Sequence, residues 1–311
     1  MAAVFALAIA IGAPAASAQE VPVPSPATLV EEVDVIARLP GPAMWRVSTS
    51  TSQIWFIAGP ETGVPKDFHW DDRRLATALE GARELVVPPQ TKFGVGVVFA
   101  ALGMRQPLGH TVRGDMPPDL RARWEQAERA VGQDPGHYDH WRPALAAAFL
   151  QDDIARRGKW WTQEGVGVQL GALVRKFHVK VRPLASYSGT EFMKSLANTP
   201  EAAGQACLGY MADIALASPG DSARAGEAWA KGDLAPGLAL SRRASVCIDA
   251  TPALVALRNR SAADWAKGLK AALTQPGKVV VFADLDTLTR KDGLLDQLKA
   301  EGLEVIGPAW Q

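Results

Sequence analysis

The chain alternates short apolar runs with longer amphipathic ones. Gln53 to Ala58 is β-branched and aromatic and stops at Gly59-Pro60, which reads as a strand ended by a turn. Asp71 to Ala82 then carries apolar residues at helical spacing, and Glu84 to Val87 is a second short strand closed by Pro88-Pro89. Val95 to Leu102 is apolar throughout and fits a strand or a buried helix equally well. The middle is helical. Pro117 suits the first turn of a helix through Ala130, and Arg142 to Arg156 and Val166 to Phe177 follow with apolar stripes. After a strand at Val179 to Leu184, helices are expected over Thr190 to Leu196, Glu201 to Ala217, Gly226 to Lys231 and Pro252 to Leu273. Lys278 to Ala283 is a buried-type strand, Gly293 to Ala300 a helix with Gly302 just past its end, and Leu303 to Gly307 a closing strand. Strands at both ends with helices between them predict an α/β fold: one mixed sheet built from the N- and C-terminal halves, with a large helical insertion.

Charge and composition narrow the function classes. Thirty-three basic and thirty-three acidic residues cancel, and neither sign forms a long block, so nothing calls for nucleic acid or an anionic membrane. Val4 to Ile11 is a short apolar run followed by Ala16-Ser17-Ala18, a small-x-small cleavage pattern, although no Lys or Arg precedes the run. Residues 1–18 therefore read as a signal peptide, 19–40 as a proline-rich leader and 41–311 as the folded domain. The expected location is periplasmic or secreted, with no transmembrane anchor in the mature chain, because charged residues or prolines interrupt every later apolar stretch. In an oxidising compartment the two cysteines, Cys207 and Cys247, are expected to form a disulfide.

Ordered scaffold motifs carry a resemblance. Pro42-Ala43-Met44-Trp45-Arg46-Val47, a turn ending Val64-Pro65-Lys66, then Glu84-Leu85-Val86-Val87 form the first group. Trp229-Ala230-Lys231-Gly232-Asp233, Leu257-Arg258-Asn259-Arg260, Asp292-Gly293-Leu294-Leu295 and Gly302-Leu303-Glu304-Val305 follow in order. In this order they resemble the TraB/GumN family, to which the Tiki metalloproteases are related. The resemblance implies a divalent metal such as Zn or Mn, held by two Gly-x-x-His turns and acidic residues and activating water. Here the first turn reads Gly59-Pro60-Glu61-Thr62, with Thr62 where histidine should stand, and the second places Thr287 after Asp284, Leu285 and Asp286. Pro88 replaces a glutamate, and Gly167 and Ala185 replace further acids. A neutral hydroxyl is a poor ligand for a transition metal, so no metal or other cofactor is expected. Glu61 with Asp284 and Asp286 leaves one alternative, an oxygen-ligand site. The resemblance places Arg258, Asn259 and Arg260 on a helix directed at the site, where they would clamp a carboxylate or hold the helix to the sheet.

Rival sites are weaker. His137-Tyr138-Asp139-His140 is the one compact histidine pair, but it lacks the glutamate of a zincin and follows Pro135-Gly136, which points to a surface or capping role. His69 and His178 read as packed or half-exposed side chains. No Gly-x-Ser-x-Gly occurs, no P-loop occurs, and Gly165 to Gly171 reads as a glycine-rich helix entry. Of ten tryptophans, the pair Trp160-Trp161 is the one expected to be partly exposed. The sequence thus predicts a catalytically inactive relative of a metallohydrolase with a ligand or partner cleft, the partner a peptide or envelope protein. A metal-dependent hydrolase and an envelope chaperone-like module are the alternatives.

Overall fold

A computed structural model describes residues 41–61, 64–65, 68–94, 96, 103–157, 160–161, 164–217 and 219–310. The expected signal peptide and leader, Thr62, Lys66, most of Val95 to Leu102 and the Trp160 and Trp161 side chains lie outside what is described.

Strands β1 (Met44–Ser48), β2 (Ser52–Gly59), β4 (Ala82–Val87), β7 (Lys180–Pro183), β9 (Gly277–Asp284) and β10 (Val305–Ile306) form one mixed sheet in the order β10-β1-β2-β9-β4-β7. The three pairings β2·β9, β9·β4 and β4·β7 are parallel, and those of β1 with β2 and β10 are antiparallel. Two small sheets pair β3 (Val64–Pro65) with β6 (Trp160–Trp161) and β5 (Gln90–Lys92) with β8 (Ser186–Ser188).

The central parallel strands β2 and β9 read as apolar runs because both their faces are covered. Side chains alternate across a pleated strand. Ile54, Phe56 and Ala58 of β2, with Val279, Val281 and Ala283 of β9, therefore face one layer, made by α9 (Pro252–Leu273), α10 (Leu285–Thr289) and α11 (Leu294–Ala300). Ile57, Leu85 and Val280 face the other, made by α1 (Arg73–Leu79), α4 (Glu164–Lys176) and Trp229 of α7 (Pro219–Ala230). A separate core joins α2 (Pro118–Ala130), α3 (Pro143–Arg157) and α6 (Glu201–Leu216), and α5 (Gly189–Ala197) packs beside them through Leu196 and Ala197. No helix among the described residues is long and apolar enough to cross a membrane.

The expected mixed α/β architecture is present, with helices between the N- and C-terminal strands. Several boundaries differ for local reasons. The first helix ends at Leu79, because Gly81 takes a left-handed φ of 68° and Ala82 already opens β4. Pro117 is the cap and Pro118 the first helical residue of α2. Helix α4 begins at Glu164, so Gly165 and Gly167 lie in its first turn and Gly171 in its interior. The helix expected from Gly226 begins at Pro219. Strand β1 and helix α8 (Ala235–Ala250) were not foreseen. The first sits inside the motif Pro42 to Val47; the second opens on Pro236-Gly237 and has one buried residue, Ser241, its other side chains being half-buried or exposed. It is held by the Cys207–Cys247 disulfide to α6, with Cα atoms 4.4 Å apart.

The resembled motif Trp229 to Asp233 has a mechanical role. Gly232, at φ 71°, donates its N–H to the Trp229 carbonyl, and Asp233 donates to Ala228. These two bonds form the Schellman stop of α7. The same pair recurs after α11, from Gly302 to Lys299 and from Leu303 to Leu298.

Candidate functional site

All four parallel strands end at one edge of the sheet. Gly59 is paired with Asp284, and Val87 with Pro183, so the turns after β2 and β9 leave neighbouring strands side by side. Pro88 and Ala185 follow the ends of β4 and β7 at the same edge. In α/β sheets ligands bind outside the carboxyl ends of the parallel strands, and the groups placed there are the candidates.

Asp284 caps α10. Its Oδ1 accepts the Thr287 N–H at 2.7 Å and its Oδ2 accepts the Thr287 hydroxyl at 2.8 Å. Glu61 reaches across from the β2 turn, its Oε1 accepting the Asp286 N–H at 3.1 Å. Burial and then the negative charge of Asp284 push the Glu61 carboxyl up to about 7, against smaller opposing effects of the Asp286 N–H and the Ser241 hydroxyl. Asp286 is also raised, first by burial and then by Asp284, although Arg290 and Arg258 act the other way. Three carboxylates thus crowd one strand edge.

The sign of the Glu61 effect fixes a pH dependence. A carboxyl raised on folding binds its proton more tightly in the native state, so its contribution is full below the unfolded value of 4.5 and is lost as pH rises through about 7. Asp286 adds in the same direction. Thermal denaturation across this window is expected to show Glu61→Gln flattening the decline: a gain in Tm over the parent on the alkaline side and little difference on the acid side. A parallel decline in parent and variant would remove Glu61 as its source.

Two grooves flank Arg258. One, of about 300 Å³, is lined by Tyr187, Arg258, Asp284, Asp286, Thr287 and Arg290. The other, of about 710 Å³, takes in Ser241, Asp249, Arg258, Asn259, Asp286 and Arg290. Arg258 is held by Asp249, Nη2 to Oδ1 2.6 Å, and Arg290 lies 3.7 Å from Asp286. Arg260 stacks over the Tyr187 ring at 4.6 Å, and the Tyr187 hydroxyl donates to Asp264 at 2.8 Å. Of the three α9 candidates, Arg258 and Asn259 thus enter a groove, while Arg260 is occupied with Tyr187.

Asp249, Ser241, Tyr187 and Arg290 were missed by sequence reasoning. Asp249 and Ser241 belong to the unforeseen α8, and the Asp249–Arg258 pair spans the Thr251-Pro252 break between two helices, where no periodicity signals it.

Among the described residues no three His, Cys, Asp or Glu side chains are placed to hold a metal ion. The acids present are engaged with N–H and O–H donors of α10, and no imidazole stands among them. That donor set does not match the histidine-rich site the resemblance implies for Zn or Mn. His137 and His140 are exposed on a turn of the insertion, where the intervening Asp139 is engaged by Arg113 at 2.7 Å. His69 and His178 are exposed too, His178 in a left-handed conformation after α4 rather than packed at a strand entry. Gly167 is exposed on α4 and lines neither groove.

Sheet order, two helical layers and a cleft at the carboxyl edge define an α/β protein whose site is assembled from both ends of the chain. The chain belongs to the TraB/PrgY/gumN family, whose sequence model matches residues 43–306. No curated protein and no solved structure matches it.

Proposed function

We propose that this chain is an exported, non-catalytic member of the TraB/PrgY/gumN family that keeps the strand-edge cleft as a binding site for a peptide or envelope protein partner. The observation that carries this reading is what occupies the two family turns. They are adjacent, at Gly59 and Asp284, yet Thr287 serves there as the hydroxyl and amide partner of the Asp284 cap, and Glu61 is tied to the Asp286 N–H. Hydrolysis by metal-activated water needs an open coordination position on a firmly held ion. Two carboxylates that each accept from the α10 backbone, with no imidazole beside them among the described residues, do not make such a site. Ala16-Ser17-Ala18 after an apolar run and the Cys207–Cys247 bridge support export.

A metal-dependent hydrolase is the second reading, favoured by one observation. The charge of Asp284 bears on both Glu61 and Asp286, and a cation would relieve that crowding. Metal analysis of the purified chain separates the two. The binding reading expects far less than stoichiometric metal, unchanged in Glu61→Gln. About one equivalent of tightly held Zn, Mn or Co, lost in Glu61→Gln together with peptide hydrolysis, overturns it. Capture from envelope extract tests the partner, and a protein retained by the parent but not by Arg258→Glu is the expected result.

A further inference from the structure

Beside Glu61, and sharing Ile248 and Leu254 with the smaller Arg258 groove, lies an apolar cavity of about 510 Å³ that neither the family nor the proposed cleft accounts for. Its volume is in the range of small-molecule sites, roughly 300–1,000 Å³. Helices α3, α5, α6 and α8 form its walls, through Ile154, Phe192, Met211, Ile214 and Leu240. Space remains between these helices because Ala144, Ala147, Ala148, Ala155 and Ala244 line it where larger side chains would fill it. The Cys207–Cys247 bridge closes part of the wall. One charged residue lines it among those described, and that residue is Glu61.

We infer that this cavity binds the tail of a cationic amphiphile, an alkyl amine in chemical class, whose ammonium head meets Glu61. Charge complementarity selects the head. Arg258 is committed to Asp249, and Arg290 faces Asp286. Glu61 has no Lys or Arg partner among the described residues, so the polar end of the cavity is negative when its carboxyl is ionised. Arg243 is the cation felt at this end, through Tyr210, whose phenol also feels the Glu61 charge. An ammonium would form a charge-assisted hydrogen bond to the Glu61 carboxylate in a site with little water. A carboxylate or phosphate head would meet like charge. The apolar walls select the tail, since each methylene moved from water into the cavity favours binding.

The inference rests on reading the strand edge as a binding site, and its test is separate from metal analysis. The full chain is titrated calorimetrically with decylamine, decanol and decanoate, each below its micelle threshold, at about pH 8 so that Glu61 is ionised. Decylamine is expected to bind about tenfold more tightly than decanol, equivalent to about 1.4 kcal/mol. Decanoate is expected to be the weakest, and Glu61→Gln should reduce decylamine to the affinity of decanol. Ala148→Trp at the exposed mouth and Ala244→Trp within the wall should each weaken all three ligands while the melting transition is retained. Equal binding of the three heads, or unchanged binding in both tryptophan variants, overturns the inference and assigns any signal to surface adsorption. A metal-free chain that ignores decylamine sinks this inference alone; stoichiometric metal on Glu61 sinks the binding reading beneath it.

Discussion

Replacing Trp229 by alanine is expected to lower the free energy of unfolding by about 3–5 kcal/mol, measured by chemical denaturation. Three contacts are lost together. Trp229 is 5% exposed within the core between the sheet, α1 and α4. Its ring packs edge-on against Trp70, with centroids 5.4 Å apart. Its Nε1 donates to the Ala58 carbonyl at 2.8 Å in a buried position. Ala58 immediately precedes Gly59, so the same indole that anchors α7 also fixes the end of β2 from which Glu61 is displayed. Trp229→Phe separates the two roles. It keeps most of the packing and loses the hydrogen bond, at a cost of about 1–3 kcal/mol. A Trp229→Ala variant as stable as the parent would show that the α7 contact is dispensable.

The second large effect belongs to the disulfide. Closing a loop between residues 40 apart in sequence restricts the unfolded chain by about 4 kcal/mol in the chain-entropy treatment. Cys207→Ala combined with Cys247→Ala is expected to lose most of this, and the parent in excess reductant should approach the same Tm. The loss should be concentrated in α8, which contributes one buried residue of its own, Ser241. Hydrogen exchange is therefore expected to accelerate along Ala235–Ala250 before it does in β2 or β9. Uniform acceleration throughout the chain would contradict that assignment.

What could be read from the sequence follows from where each element draws its stability. Strand β9 was legible because Val279, Val280 and Val281 are buried on both faces and announce themselves as an apolar run. Helix α9 matched its expected span, Pro252–Leu273, because a proline suits its first turn and an apolar stripe runs along it. Helix α8 was not legible, since it packs chiefly on α6, to which a covalent bond 40 positions away also ties it, with Ser241 as its one buried side chain. The site divides in the same way. Glu61 read as a turn acid, and its raised proton affinity comes first from burial and then from Asp284, both of which only the tertiary fold supplies. That Gly59 and Asp284 share an edge was implied by the family's two turns and not by any local pattern. The Cys207–Cys247 pairing, inferred from an even count, is present in the structure.

The position of β9 between β2 and β4 also governs when the protein can fold. Glu61 and its partner Asp286 are 225 residues apart, and the registers of β2 and β9 carry the same interval. At synthesis rates of about 5–20 residues per second, β2 waits roughly 10–45 s for the strand that fills the gap beside it. Until then neither β2 nor β4 has its central neighbour, and the apolar rows of both remain unshielded. The hairpin β1–β2 and the pair β4–β7 are two separate half-sheets by topology, and β9 is the strand that joins them into one.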